Sequence, residues 1–162
     1  MKVVFEALPT SAGELAGSVQ MNLTKPENTC ALFLCALNIF TKDRQEGVAA
    51  INALKGPAAL NAHEISFLTD RLRDKAYLPM AYFEGARPDN NYQPALPYTV
   101  LFYPDPRPQD LQAGYMRLYL RTAGADSPRA ITLRQKDGNW YLWEYPGIVM
   151  GVRLPVKEDP WA

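Results

Sequence analysis

Arg117, Arg121 and Arg134 are interleaved with Tyr115, Tyr119, Tyr141 and Trp143 in the second half of the chain. A guanidinium stacks on aromatic rings and also forks onto carboxylates. The mixture therefore suits a peptide, an acidic small molecule or a partner protein. A second cluster is Ala123-Gly124-Ala125-Asp126-Ser127-Pro128-Arg129. Asp126 and Ser127 can bond local backbone N–H groups and Pro128 stiffens the turn, which describes a connector. The same residues would also place Asp126 and Arg129 at the mouth of a pocket. A third region, Tyr82 to Pro94, is a long turn-rich segment containing Asn91 and Tyr92. Loops of this length either carry function or clamp over a core.

Other chemistry has fewer candidates. The one histidine, His63, falls in the first turn of an expected helix, where the positive helix end disfavours imidazolium. Surface or capping use fits it better than catalysis, and no histidine is placed to activate Ser127. Cys30 and Cys35 lie in an apolar run and are the only cysteines. They are too few for a zinc site or a disulfide framework and read as buried thiols in a reducing compartment. Glu158-Asp159 offers no general acid/base geometry, and no glycine-rich phosphate loop is present. No catalytic residue, metal or cofactor is assigned.

Charge narrows the partners. Seventeen basic residues balance seventeen acidic ones, whereas nucleic-acid binding draws on a basic excess or patch. Nucleic acid and membrane are not expected partners. Residues 1–6 lack a long apolar run, and Glu6 and Glu14 do not suit a transit peptide. The cytoplasm is the expected compartment.

The elements that must position these groups divide sharply along the chain. Of fourteen prolines, only Pro9, Pro26 and Pro57 precede residue 79, while all nine tyrosines and all three tryptophans follow residue 76. Aromatics favour strands and prolines punctuate the turns between them. The chain therefore reads as one α+β domain, with N-terminal helices (1–76), a long loop (77–96), an antiparallel β-meander (97–155) and a tail (156–162). Ser11-x-x-Glu14, Thr24-x-x-Glu27 and Asn61-x-x-Glu64 are capping patterns that open helices. A central, nearly all-apolar helix is expected over 26–40, another over 44–54 ending at Gly56-Pro57, and a third after Asn61. Strands are expected at 97–103, 114–122, 130–136, 139–145 and 147–154.

Asp137-Gly138 between two alternating runs predicts a two-residue hairpin. Its register pairs Leu133 with Leu142 and Gln135 with Trp140 on one face. Arg134 then meets Tyr141, and Thr132 meets Trp143, on the other. The sheet acquires one aliphatic face and one aromatic–arginine face. That second face has three open readings: a solvated surface, a self-association surface or a ligand surface. Trp161 is expected to tuck against its own domain or to anchor in a neighbouring copy.

The strings Gly85-Ala86-x-Pro88-x-Asn90-Asn91-Tyr92, Gly124-Ala125-Asp126-Ser127-Pro128-Arg129-x-x-Thr132-Leu133-Arg134 and Glu158-Asp159-Pro160-Trp161-Ala162 resemble an uncharacterised family of small bacterial proteins. That family carries a domain of unknown function and implies no activity. The order of helices followed by a meander with Lys-x-Asp-Gly-x-Trp is similar to the cystatin-like cone of the nuclear transport factor 2-like superfamily. This second resemblance implies a curved sheet around a helix, often with a pocket, and dimers through the outer sheet face.

The leading expectation is a non-enzymatic binding or interaction module, homo-oligomeric through the aromatic–arginine face. Its partner would be a protein or a small acidic ligand. An alternative is a small-ligand binder or enzyme with a pocket between sheet and helices, near Asp126, Arg129, Arg134 and the Tyr82–Tyr92 loop. A neutraliser of a toxin or other effector is a third.

Overall fold

Every residue from Thr29 to Phe40 is buried, so the helix that carries them must be covered on all sides. The computed structural model describes residues 1–162 and shows what covers it. Strand β1 (Lys2–Phe5) and the short helix α1 (Ala12–Ala16) precede α2 (Pro26–Lys42), which is the central helix. Helices α3 (Arg44–Lys55) and α4 (Ala62–Leu72) follow, then the strands β2 (Tyr98–Leu101), β3 (Tyr103–Pro104), β4 (Tyr115–Leu120), β5 (Arg129–Lys136) and β6 (Asn139–Glu144). Helix α2 packs against α1, α3, β1 and β6. Each Leu, Ile or Phe it buries contributes about 1.5–3 kcal/mol of transfer free energy. The architecture is α+β, as the sequence predicts.

Two capping patterns behave as expected. The Ser11 hydroxyl accepts the Glu14 N–H, and Asn61 with Glu64 forms a reciprocal capping box. The third does not. Lys25, not Thr24, is the N-cap of α2 and makes no side-chain cap bond. The Thr24 hydroxyl instead donates to Asn22 Oδ1 at 2.6 Å. Pro26 opens the helix, and because it lacks an N–H it leaves one orphan donor fewer to satisfy.

The strands form two sheets. One is the antiparallel pair β1–β2, and the other has the order β3-β4-β5-β6. The expected 97–103 strand crosses between them. Its first part pairs with β1, Phe102 donates its N–H to the Met1 carbonyl at 2.8 Å, and Tyr103 and Pro104 pair with β4. The expected strand at 147–154 does not form. Pro146–Val149 is a 3-10 turn that buries Ile148 and Val149, and the following residues are irregular. The four-stranded sheet therefore ends at Glu144 rather than running on to residue 155. No helix is long and apolar enough to cross a membrane.

Asp137 and Gly138 both take positive φ, 52° and 81°, as the mirror-image hairpin turn requires. Leu133–Leu142, Arg134–Tyr141 and Gln135–Trp140 are paired as the turn predicts. The pairing of Thr132 with Trp143 fails, because a β-bulge places Thr132 opposite Glu144. Trp143 is the extra residue. A bulge of this kind re-aims a side chain, and here the indole turns toward Arg134.

Candidate functional site

Tyr115 lies directly across from Arg134 on β4, and Tyr141 lies directly across from it on β6. The Arg134 guanidinium stands 5.4 Å from the Tyr115 ring centre and 4.7 Å from that of Trp143. Those two rings meet edge to face at 5.8 Å. Arg134 makes no ion pair, and none of its N–H groups finds an oxygen of the protein. Contact with the two rings engages the charge without supplying an acceptor, so the guanidinium donors remain available.

Beside it is a groove of about 450 Å³, lined by Lys55, Pro57, Ala58, Arg134, Gln135, Lys136, Tyr141, Leu142 and Trp143. That volume is within the range of small-ligand sites, about 300–1,000 Å³. No acidic side chain lines it. Lys136 lies 3.7 Å from the exposed Asp137 carboxylate. Lys55 is turned inward to Glu64 at 3.1 Å, and Glu64 also accepts the Tyr145 hydroxyl at 3.1 Å. Burial, then the Glu64 charge, push the Tyr145 phenol well above its ordinary value.

Two local features shape this groove. Gly56 has φ +65°, and a Cβ there would stand 2.9 Å from the Tyr141 ring. The turn after α3 can therefore press against the ring only with glycine in place. The β6 edge supplies the second feature. Trp140 donates its N–H to Leu23 and accepts from the Thr29 hydroxyl, both at 2.7 Å, so its backbone faces away from β5. By the two-residue alternation of an antiparallel ladder, the Leu142 backbone faces the same way. Its side chain is in the core, so Leu142 contributes main-chain groups to the groove.

The other arginines differ. Arg117 lies 3.8 Å from Asp105, whose side chain is only 5% exposed, so its charge compensates a buried carboxylate. Arg121 stacks over Tyr103 at 5.0 Å and lines a separate groove of about 370 Å³ that includes Glu84 and Arg87. Arg129 donates to the Gly151 carbonyl at 3.0 Å. It is paired with Leu120, so it belongs to the inner face of β5, whereas Arg134 belongs to the outer face. Five residues of strand, about 17 Å, also separate them along β5. The structure therefore does not bring Asp126 and Arg129 to the Arg134 groove.

Asp126 pairs with Arg153, a residue that sequence reasoning did not single out. The hydrogen bond to Asp126, and the carboxylate charge, raise the Arg153 pKa above its ordinary value. Tyr92 is buried, stacks on Tyr77 at 5.4 Å and donates its hydroxyl to the Arg153 carbonyl at 2.7 Å. A Cβ on Gly124 would fall 2.3 Å from the Tyr92 hydroxyl. Neighbouring Asn91 is exposed, in the left-handed region. Asn90 accepts from Arg87 at 2.8 Å and donates to Gly85 at 2.8 Å. The Gly85–Tyr92 loop and the 123–129 connector thus form a clasp that holds residues 151–153.

His63 and the thiols add no chemistry to either place. His63 lines an open groove between α3 and α4. Cys30 and Cys35 are fully buried, and desolvation pushes both thiols well above their ordinary value. No group of three or more His, Cys, Asp or Glu side chains is arranged to hold a metal ion. Lys55, Pro57, Ala58 and Lys136 escaped sequence reasoning. Only the Gly56-Pro57 stop and the hairpin hinted that their neighbourhoods mattered.

The fold and this face define a small α+β protein with a basic, aromatic groove along one sheet edge. The family described as Domain of unknown function (DUF6935) matches residues 7–156, and the chain belongs to it. No curated protein and no solved structure matches the chain, so the likeness to the nuclear transport factor 2-like cone is not confirmed.

Proposed function

We propose that this protein is a non-catalytic, cytoplasmic binding module that recognises an acidic segment of a partner protein in the Arg134 groove. One observation carries the reading. Arg134 lies against the Tyr115 and Trp143 rings yet has no acceptor for its donors, in a groove lined by no acidic side chain. Charge-assisted bonds from guanidinium to carboxylate are about twice as strong as neutral ones, and Lys136 lines the same groove with its charge partly offset by the exposed Asp137. The Leu142 backbone offers a main-chain contact beside them. Reduced, buried Cys30 and Cys35 suit the cytoplasm.

The test is an NMR titration of the ¹⁵N-labelled chain with the peptide acetyl-Glu-Glu-Val-Glu-Glu-amide. Saturable shifts are expected at Arg134 Nε–H, Trp143 Nε1–H and the Leu142 amide. They should weaken with salt and vanish in Arg134→Ala. Equal shifts from a lysine peptide, or none at millimolar peptide, would refute the reading.

A small-ligand reading attaches to the Arg121 groove, where Arg121 also lacks an oxygen acceptor. Glu84 on its rim makes that groove mixed in charge, so it suits a zwitterion better than an anion. Neutralising an effector protein would use the Arg134 groove in the same way as any other acidic partner.

A further inference from the structure

We infer that the acidic segment received by the Arg134 groove is residues 158–161 of a second copy of this chain. The inference rests on the groove reading above and names its partner.

Glu158-Asp159-Pro160-Trp161 carries two carboxylates and an indole in four residues. Trp161 is 93% exposed, the most exposed large apolar side chain of the molecule. A tryptophan exposed to this extent leaves a large apolar surface in water, and partner binding recovers it. The segment is preordered to present the ring. The Trp161 backbone N–H donates to Asp159 Oδ1 at 2.9 Å, and the Ala162 N–H donates to the Asp159 carbonyl at 3.2 Å. The groove has the complementary composition. Arg134 and Lys136 face two acids, and Pro57, Ala58 and Trp143 offer apolar surface to the indole.

The segment does not reach the groove of its own chain. Residue 153 is tied to Gly124 and Asp126 at the far end of β5, and Glu158 lies beside Tyr77 and Asn91. A second copy is therefore the donor. When two copies each place this segment in the other's groove, the contact is symmetric and closes as a dimer rather than extending into a filament.

Sedimentation velocity of the full chain over a concentration series tests this, with circular dichroism to confirm folding. The wild type should dimerise. Trp161→Ala and Arg134→Glu should each weaken the dimer by more than about tenfold without loss of fold, since both side chains are exposed. A charge exchange makes the test specific. Arg134→Glu alone and the double variant Glu158→Lys, Asp159→Lys alone should be monomers. Mixed together they should dimerise, because the lysine segment meets the glutamate groove and the natural segment meets the natural groove. A monomeric wild type, a dimer indifferent to Arg134→Glu and Trp161→Ala, or a mixture that stays monomeric would each overturn the inference. If these fail while the acidic peptide still shifts Arg134, the segment is wrong and the groove reading stands. If the peptide also fails, both are wrong.

Discussion

The regions at the two ends of β5 both combine arginine with aromatic residues and differ in what their polar groups touch. In the clasp, Arg153 meets Asp126, Tyr92 donates to the Arg153 carbonyl, and Arg129 donates to Gly151. Near the other end of β5, Arg134 touches two rings and no oxygen. The first region closes the chain on itself, and the second leaves a cation held in place with its donors open. A cluster of recognition-type residues becomes evidence of recognition only after the partners within the same chain have been subtracted.

The sharpest way to break this comparison is to damage the clasp. Tyr92→Ala removes a buried ring and should cost about 3–5 kcal/mol in urea unfolding. The folded fraction should bind acidic peptide as the wild type does. A mild loss of stability together with loss of binding would reverse the roles of the two regions.

Gly56→Ala should be intermediate, because it tests the loop that presses on Tyr141. A side chain at φ +65° should cost about 1–3 kcal/mol of stability. It should also displace Tyr141 and change the peptide-induced shift of Arg134. A shift pattern identical to wild type would detach Tyr141 from the groove.

High pH should loosen the core before the groove. Burial raises the Tyr82 and Tyr145 phenols above 10.0 and the Cys30 and Cys35 thiols above 9.0, their ordinary values. Each group prefers its neutral form when folded, so its contribution is complete below those values and is lost as pH rises through the raised ones. Stability should be flat near neutrality and fall above about pH 9. Tyr82→Phe should shallow that fall, and an unchanged slope would exclude Tyr82 as a contributor.

Arg134→Ala should have a small effect on stability, within about 1 kcal/mol for stacking at an exposed site, and a large effect on peptide binding. A larger loss of stability would make Arg134 structural. Asp126→Ala is expected to leave the denaturation midpoint unchanged, since both members of its ion pair are exposed.

Legibility followed sequence distance. The Asp137-Gly138 hairpin and the Ser11 and Asn61 caps were readable because their partners lie within four residues. Thr24 misled because Asn22, two residues away, competes for its hydroxyl. Strand β1 could not be read from its own four residues, since its partner is Tyr98–Leu101. The 147–154 run has strand-like apolar residues, but Pro146 and Gly147 begin a turn there and Ile148 and Val149 enter the core from it. Trp161 was expected to be buried or to anchor in a neighbour. The structure leaves it 93% exposed, so it does not tuck against its own domain.

The helices ahead of the four-stranded sheet, the hairpin register as far as Leu133–Leu142 and the two unlike sheet faces were legible in the sequence, because caps, turns and alternation act over short separations. Which arginines stay without an oxygen acceptor, Arg121 and Arg134, depends instead on chain closure. Asp105, Gly151 and Arg153 come to Arg117, Arg129 and Asp126 through chain closure, and the bulge at Trp143 turns its ring onto Arg134. Acceptors brought from distant segments engage these guanidinium groups, and local sequence gives no sign of them.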